Sequence, residues 1–172
     1  DNPTSFDGVV SVTYKEVSSS QTQEIIQKKI YKDTNYESNP LWQASLVRIF
    51  ILRDLVGKFN LNDVIHFDND VLVYVEANNL QNLFSSNQIN ITRLNKNELI
   101  FGYSYFKNFQ ILDNLCNEVY QTILEEIKKD EWKKDPKNEM KLLEKVYKNN
   151  PQLFNILDSY PKINSEYIFD PA

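Results

Sequence analysis

The sequence predicts an α/β fold, a sheet flanked by helices in a single domain spanning residues 1–172. Strand-like and helix-like stretches alternate along the chain. The stretch from Leu41 to about Phe59 is apolar on nearly every face, as a helix held between a sheet and another layer must be. The apolar run Val64-Ile65-His66-Phe67 that follows it reads as a core strand. At 172 residues, 41% of them hydrophobic and 13% aromatic, the chain can bury a real core without disulfides or a structural metal.

The elements follow in order. Phe6 to Val12 reads as a short strand, and the Ser18-Ser19-Ser20 turn can cap a helix from Gln21 to Tyr31. Pro40 suits the first turn of the next helix, Gly57 weakens its end, and only Gln43, Ser45, Arg48, Arg53 and Asp54 interrupt its apolar surface. A strand from Val64 to Tyr74 comes next, then a short helix around Ala77 to Phe84. Gln88 to Leu94 and Leu99 to Phe106 form a hairpin across Asn95-Lys96-Asn97. Asn108 caps a long helix from Phe109 to about Lys129, with a charge-rich surface at its far end. Pro136 to about Asn149 is a further helix with Met140, Leu143, Val146 and Tyr147 on one side. Pro151 begins a short helical stretch, and Tyr167-Ile168-Phe169-Asp170 begins another strand.

Composition excludes several classes of function. No apolar run approaches the roughly 20 residues needed to cross a bilayer, and Asp1-Asn2-Pro3-Thr4 is no signal peptide. Because residue 1 is not Met, a processed or excised piece is expected. One cysteine and one histidine cannot make an intrachain disulfide or a Cys/His zinc site, so Cys116 is expected to pack as a small hydrophobe. A net charge of -5, with the basic residues interleaved among acids, argues against a nucleic-acid partner.

The chemistry concentrates where the strand Val64 to Phe67 runs into Asp68-Asn69-Asp70. Residues two apart in extended backbone point to the same side, so both carboxylates face one small volume at the C-terminal end of a core strand. Oxygen donors of this kind suit a hard divalent cation, Mg²⁺ or Mn²⁺, completed by water and substrate phosphates. An Asp-Asn-Asp turn bonded to nearby backbone N–H groups is an equal reading of the triplet. Arg48 bears on the choice, since it lies among Ala44, Val47, Ile51, Leu52 and Leu55 and a buried guanidinium needs a partner. Pairing with Asp68 or Asp70 would satisfy it, as would phosphate oxygens. A side chain snorkelling to water is the alternative.

The run Pro40 to Asp54, a short polar link and then Val64 to Tyr74 resemble the core of DXD-containing glycosyltransferases of the GT-A fold. In that family an Arg-bearing helix precedes a strand ending in Asp-x-Asp, which holds Mn²⁺ or Mg²⁺ and the diphosphate of a nucleotide-sugar. The resemblance implies a Rossmann-like mixed sheet, with Asp68 and Asp70 as metal ligands and Arg48, Asp68 and Asn69 at the nucleotide-sugar. Leu99-Ile100-Phe101-Gly102-Tyr103-Ser104-Tyr105-Phe106-Lys107-Asn108 is similar to the strand and helix cap lining the family's sugar and acceptor site, which implies Gly102 and Tyr103 there. Asn138-Glu139-Met140 resembles the acidic-Met element that follows, making Glu139 a candidate acceptor base, against a solvated helix-start acid. Phe169-Asp170-Pro171-Ala172 resembles a later segment.

The family's first strand and base-holding loop would precede Phe6, so this chain is expected to lack that first strand. The family's additional metal ligand has no counterpart up to Ala172, and His66, which precedes the pair, is expected to be a hydrogen-bonded core histidine. Tyr103, Tyr105 and Phe106 can stack on a sugar or pack against a helix. The implied function is metal-dependent transfer of a sugar from a UDP- or GDP-sugar to a glycan or other hydroxyl acceptor. The alternatives are a non-catalytic sugar-binding or interaction module, and a haloacid-dehalogenase-type phosphatase. The phosphatase fits less well because Val71-Leu72 stand where that family has Gly-Thr.

Overall fold

The computed structural model describes residues 12–27, 32, 34, 36–68, 74, 76–159 and 168–169. They form an α/β fold whose four-stranded mixed sheet is flanked by helices. Helices α1 (Tyr14–Val17), α2 (Ser20–Ile26) and α3 (Pro40–Phe59) precede strand β1 (Val64–Phe67). Helix α4 (Ala77–Leu80) and a 3-10 turn (Gln81–Leu83) lead to the hairpin of β2 (Ile89–Asn95) and β3 (Glu98–Phe106). Helices α5 (Phe109–Glu126), α6 (Asp130–Lys134) and α7 (Glu139–Asn149) follow. A 3-10 turn (Pro151–Leu153) then delivers strand β4 (Phe154–Leu157).

The sheet order is β1-β3-β2-β4, with β3 antiparallel to both β1 and β2, and β4 parallel to β2. Helices α5 and α7 pack on β2 and β3, and α3 packs against α5 and α7. Leu46, Ile49 and Phe50 of α3 meet Leu112 and Leu115 of α5 and Leu142 and Leu143 of α7 in one core, all fully buried. On the sheet, Tyr103, Leu157, Leu80 and Phe169 make a second, smaller cluster.

Local chemistry explains most of the boundaries. The Asn39 side chain accepts from the Trp42 N–H at 3.2 Å, and Pro40 takes the first position of α3. The helix runs past Gly57 to Phe59 and stops at Asn60, which adopts the left-handed conformation with φ 48°. Gly57 has a packing role instead. A Cβ there would meet the Phe109 ring at 2.8 Å, so its hydrogen lets α5 close onto α3. Asn108 caps α5 as expected.

Several expectations need correction. The predicted Pro136 helix begins at Glu139 with Asn138 as its cap, and α6 before it was not foreseen. The short helical stretch at Pro151 is the 3-10 turn Pro151–Leu153, and strand β4, which has no counterpart among the expected elements, follows it directly. Ile168 and Phe169 carry no strand, and the rest of that tail lies outside the described residues. The expected strand Phe6 to Val12 and the end of the Gln21 helix also fall largely outside them, as do Asn69 to Val73. Tyr74, the expected end of that strand, is solvent-exposed. Arg53 and Asp54, read as interruptions on a helix surface, are buried. Cys116 is buried, and burial raises its thiol pKa.

The far end of α5 is not simply a charged surface, because Glu126 is buried among three lysines. Burial alone would raise its pKa. Lys129 at 2.5 Å, Lys145, and Lys137 at 2.9 Å outweigh that and hold it at about 2, below the ordinary 4.5. A folded-state pKa below the unfolded one gives stability that is present above about pH 4.5 and lost as pH falls towards 2. Urea midpoints at about pH 6 and about pH 3 should therefore fall further for the wild type than for Glu126→Gln. Equal falls would show that the lysines do not act on this carboxylate.

Candidate functional site

Strand β1 ends at Phe67, and the Asp68 N–H donates to the Gly102 carbonyl at 2.8 Å, extending the β1–β3 ladder by one bond. That bond fixes the backbone of Asp68 against β3. The register of β3 jumps here, because β2 pairs Ile91 with Ser104 and then Thr92 with Ile100. Phe101 to Tyr103 are the extra length, so Gly102 is free to serve β1. A Cβ on Gly102 would meet Asp68 Oδ2 at 2.9 Å, so glycine is what lets the carboxylate lie against the strand.

Arg48 reaches this carboxylate from α3. Its Nη1 donates to Asp68 Oδ1, and its Nη2 stands 3.7 Å from Glu139 Oε1 at the start of α7. Among the described residues neither Arg48 Nε nor Glu139 Oε1 has a hydrogen-bond partner, and both atoms are buried. Glu139 is only 5% exposed, which corrects the reading of it as a solvated helix-start acid. Burial pushes its pKa up to about 7, with Arg48 and a Phe101 backbone hydrogen bond opposing the rise and Asp68 adding to it. A carboxyl group in that range exchanges its proton near neutrality.

His66 Nε2 lies 3.7 Å from the same Asp68 Oδ1. Among the described residues this nitrogen is buried without a hydrogen bond, and the ring packs against Phe101 at 5.4 Å. Burial, reinforced by Arg48 and opposed by Asp68, pushes its pKa down to about 4, so the imidazole is neutral at pH 7.

Arg48, Asp68, Gly102 and Glu139 thus converge, and His66 joins them. Tyr103 is next to Gly102 in sequence but packs its ring against Phe169 at 5.2 Å. Tyr105 stacks on Phe84 at 4.4 Å and donates its hydroxyl to Asp63 at 2.8 Å. Both rings are therefore engaged within the chain rather than presented to a ligand. Asn69 and Asp70 lie outside the described residues. Among the described residues no group of three or more His, Cys, Asp or Glu is arranged to hold a metal ion. Nor is any helix among them long and apolar enough to cross a membrane. An open cleft of about 500 Å³, lined by Val17, Ser19, Asp54, Gly57, Lys58, Asn60 and Phe109, contains none of the converging residues.

Compared with known proteins, the chain matches no family model, no curated sequence and no solved structure. The cluster offers a carboxylate with one oxygen turned to a cation, a buried acid that titrates near neutrality, and a guanidinium with donors to spare.

Proposed function

We propose that this chain is a metal-dependent glycosyltransferase domain of GT-A type, moving a sugar from a nucleotide-diphosphate donor to a hydroxyl acceptor. The observation that carries the reading is the meeting of Arg48, Asp68 and Glu139. The family resemblance draws these residues from three separate motifs, and nothing in their sequence spacing requires them to touch.

Asp68 with Asp70 would hold Mn²⁺ or Mg²⁺, which when bound would neutralise charge on a departing diphosphate. Arg48 contributes a planar fork of donors that matches carboxylate or phosphate oxygens two at a time. Glu139 is the acid–base candidate, able to take a proton from an acceptor hydroxyl because burial has brought its pKa close to 7. Gly102 would leave room for the Asp68 carboxylate to lie against β3. The second reading, a non-catalytic sugar-binding or interaction module, draws on the pairing of Arg48 with Asp68 inside the chain, which leaves that carboxylate already neutralised.

Calorimetric titration with Mn²⁺ and a panel of UDP- and GDP-sugars distinguishes the two. The transferase reading expects nucleotide binding that requires metal and is lost in Asp70→Asn. Sugar or nucleotide binding that is indifferent to metal and to Asp70→Asn would favour the module.

A further inference from the structure

Glu126 is the last residue of α5, and three lysines reach it from separate parts of the chain. Lys129 sits at the start of α6, Lys137 precedes the Asn138 cap of α7, and Lys145 lies within α7. The Lys129 and Lys145 ammonium groups share Glu126 Oε1, the first at 2.5 Å, and Lys137 Nζ stands 2.9 Å from Oε2. The Glu126 side chain is 2% exposed, whereas those of Lys129, Lys137 and Lys145 are 49%, 33% and 25% exposed. The carboxylate is therefore the floor of the cluster, and the ammonium groups are a rim open to solvent.

One carboxylate cancels only one of the three charges. Two ammonium groups side by side on a single oxygen repel each other, and the other acid that acts on Lys129, Glu125, is solvent-exposed and screened. Each ammonium carries three N–H donors and directs one at Glu126, so the rim keeps donors for an acceptor from outside. The rim is also held in place. The Tyr36 hydroxyl donates to the Lys137 carbonyl at 2.5 Å, and the Tyr36 ring stacks on Trp132 of α6 at 5.9 Å, which ties the backbone between the lysines to a buried aromatic pair.

We propose that Lys129, Lys137 and Lys145 form a binding site for a phosphate group, with Glu126 gathering the three ammonium groups beneath it. A phosphate dianion above and one carboxylate below balance the three lysine charges, and lysine binds phosphate as a point charge with rotatable donors. The site shares no residue with the cluster of Arg48, Asp68 and Glu139, and it stands whether or not the chain transfers a sugar.

The test titrates inorganic phosphate into the full chain at about pH 8, where the dianion predominates. Ionic strength is held constant with sodium chloride, and binding is followed by calorimetry and by the lysine Nζ resonances. Saturable binding is expected, weaker by at least about tenfold in Lys137→Met and in Lys145→Met. Each variant keeps two lysines on Glu126, and thermal melts establish that it is folded. Lys141→Met, which removes an exposed charge from the same helix as Lys145, should bind as the wild type does. Phenyl phosphate distinguishes the sources: tighter binding than inorganic phosphate assigns the site to a phosphate carried on a larger molecule, and equal binding assigns it to the free ion. Wild-type lysine resonances that move no further in phosphate than in matched chloride would overturn the proposal. So would folded Lys137→Met and Lys145→Met proteins that bind phosphate as tightly as the wild type, or an equal loss in Lys141→Met, which would reduce the effect to general charge attraction.

Discussion

Replacing Asp54 with alanine should destabilise the protein by about 3–5 kcal/mol, the usual result of stripping one partner from a buried ion pair. Arg53 is 4% exposed, and Asp54 Oδ1 accepts from its Nε at 2.9 Å and from its Nη2 at 2.7 Å. The other carboxylate oxygen accepts from the Ser19 N–H at 2.7 Å and from the Thr22 hydroxyl at 2.5 Å. One side chain of α3 thus balances a buried guanidinium and also holds the first turn of α2. Alanine would leave the guanidinium with Gln21, Ser19, Thr22 and a 3.6 Å approach to Asp113, none of which replaces a carboxylate in contact. The shift in urea midpoint measures the loss. The double variant Arg53→Met/Asp54→Leu should lose less than Asp54→Ala alone, because removing both charges leaves no orphan. A double variant that loses more would show that the network contributes net stability rather than specificity.

The second large effect is expected at Asn90, which is fully buried on β2. Its Nδ2 donates to the carbonyls of Ser85 at 2.9 Å, Gln88 at 3.0 Å and Tyr105 at 3.2 Å. Its Oδ1 accepts from the Ser85 N–H and from Asn155 Nδ2, both at 2.7 Å. This one amide joins the loop entering β2, the neighbouring strand β3 and the edge strand β4. Asn90→Ala should cost about 2–4 kcal/mol, since buried groups left without partners each cost about 1–3 kcal/mol and some of these can recover water. Denaturant unfolding gives the total, and faster hydrogen exchange at the Ser85 amide locates it. Asn90→Asp should be no better, because a carboxylate would face three carbonyl oxygens. Near-wild-type stability in either variant would mean that the 84–88 loop holds its shape by other means.

How legible all this was in the sequence depended on whether local chemistry or distant partners decided the outcome. The start of α3 follows from Asn39 and Pro40, the start of α5 from Asn108, and the β2–β3 turn from Asn95-Lys96-Asn97. Each is settled within a few residues. Strand β4 was missed because four residues after a 3-10 turn carry little periodicity, and their parallel pairing with β2 comes from far along the chain. The burial of Arg53, Asp54 and Glu126 was missed for a related reason. A charged residue reads as solvated unless its partners are known, and here they come from α2 and from the lysines around α6 and α7. For the candidate site, Arg48 was legible as a charge on an apolar helix, and Asp68 as a carboxylate at a strand end. The burial of Glu139 was not, since α7 packing on β3 produces it and the Asn138 cap gives no hint of it. Nor was the Nε2 of His66, because alternation along β1 predicts its side but not that it finds no hydrogen-bond partner among the described residues.

The parallel placement of β4 beside β2 bears on how the molecule is assembled during synthesis. Ile89 and Ile91 of β2 are buried, yet the strand that covers their free edge, Phe154 to Leu157, is made more than sixty positions later, Ile91 pairing with Ile156. Until that stretch leaves the ribosome, β2 can bond on one side only, to β3. A nascent chain stalled anywhere between the hairpin and Phe154 carries an apolar strand with open backbone donors and acceptors, the template on which strands from other chains add. Translation through α5, α6 and α7 is therefore the interval in which a chaperone has most to shield.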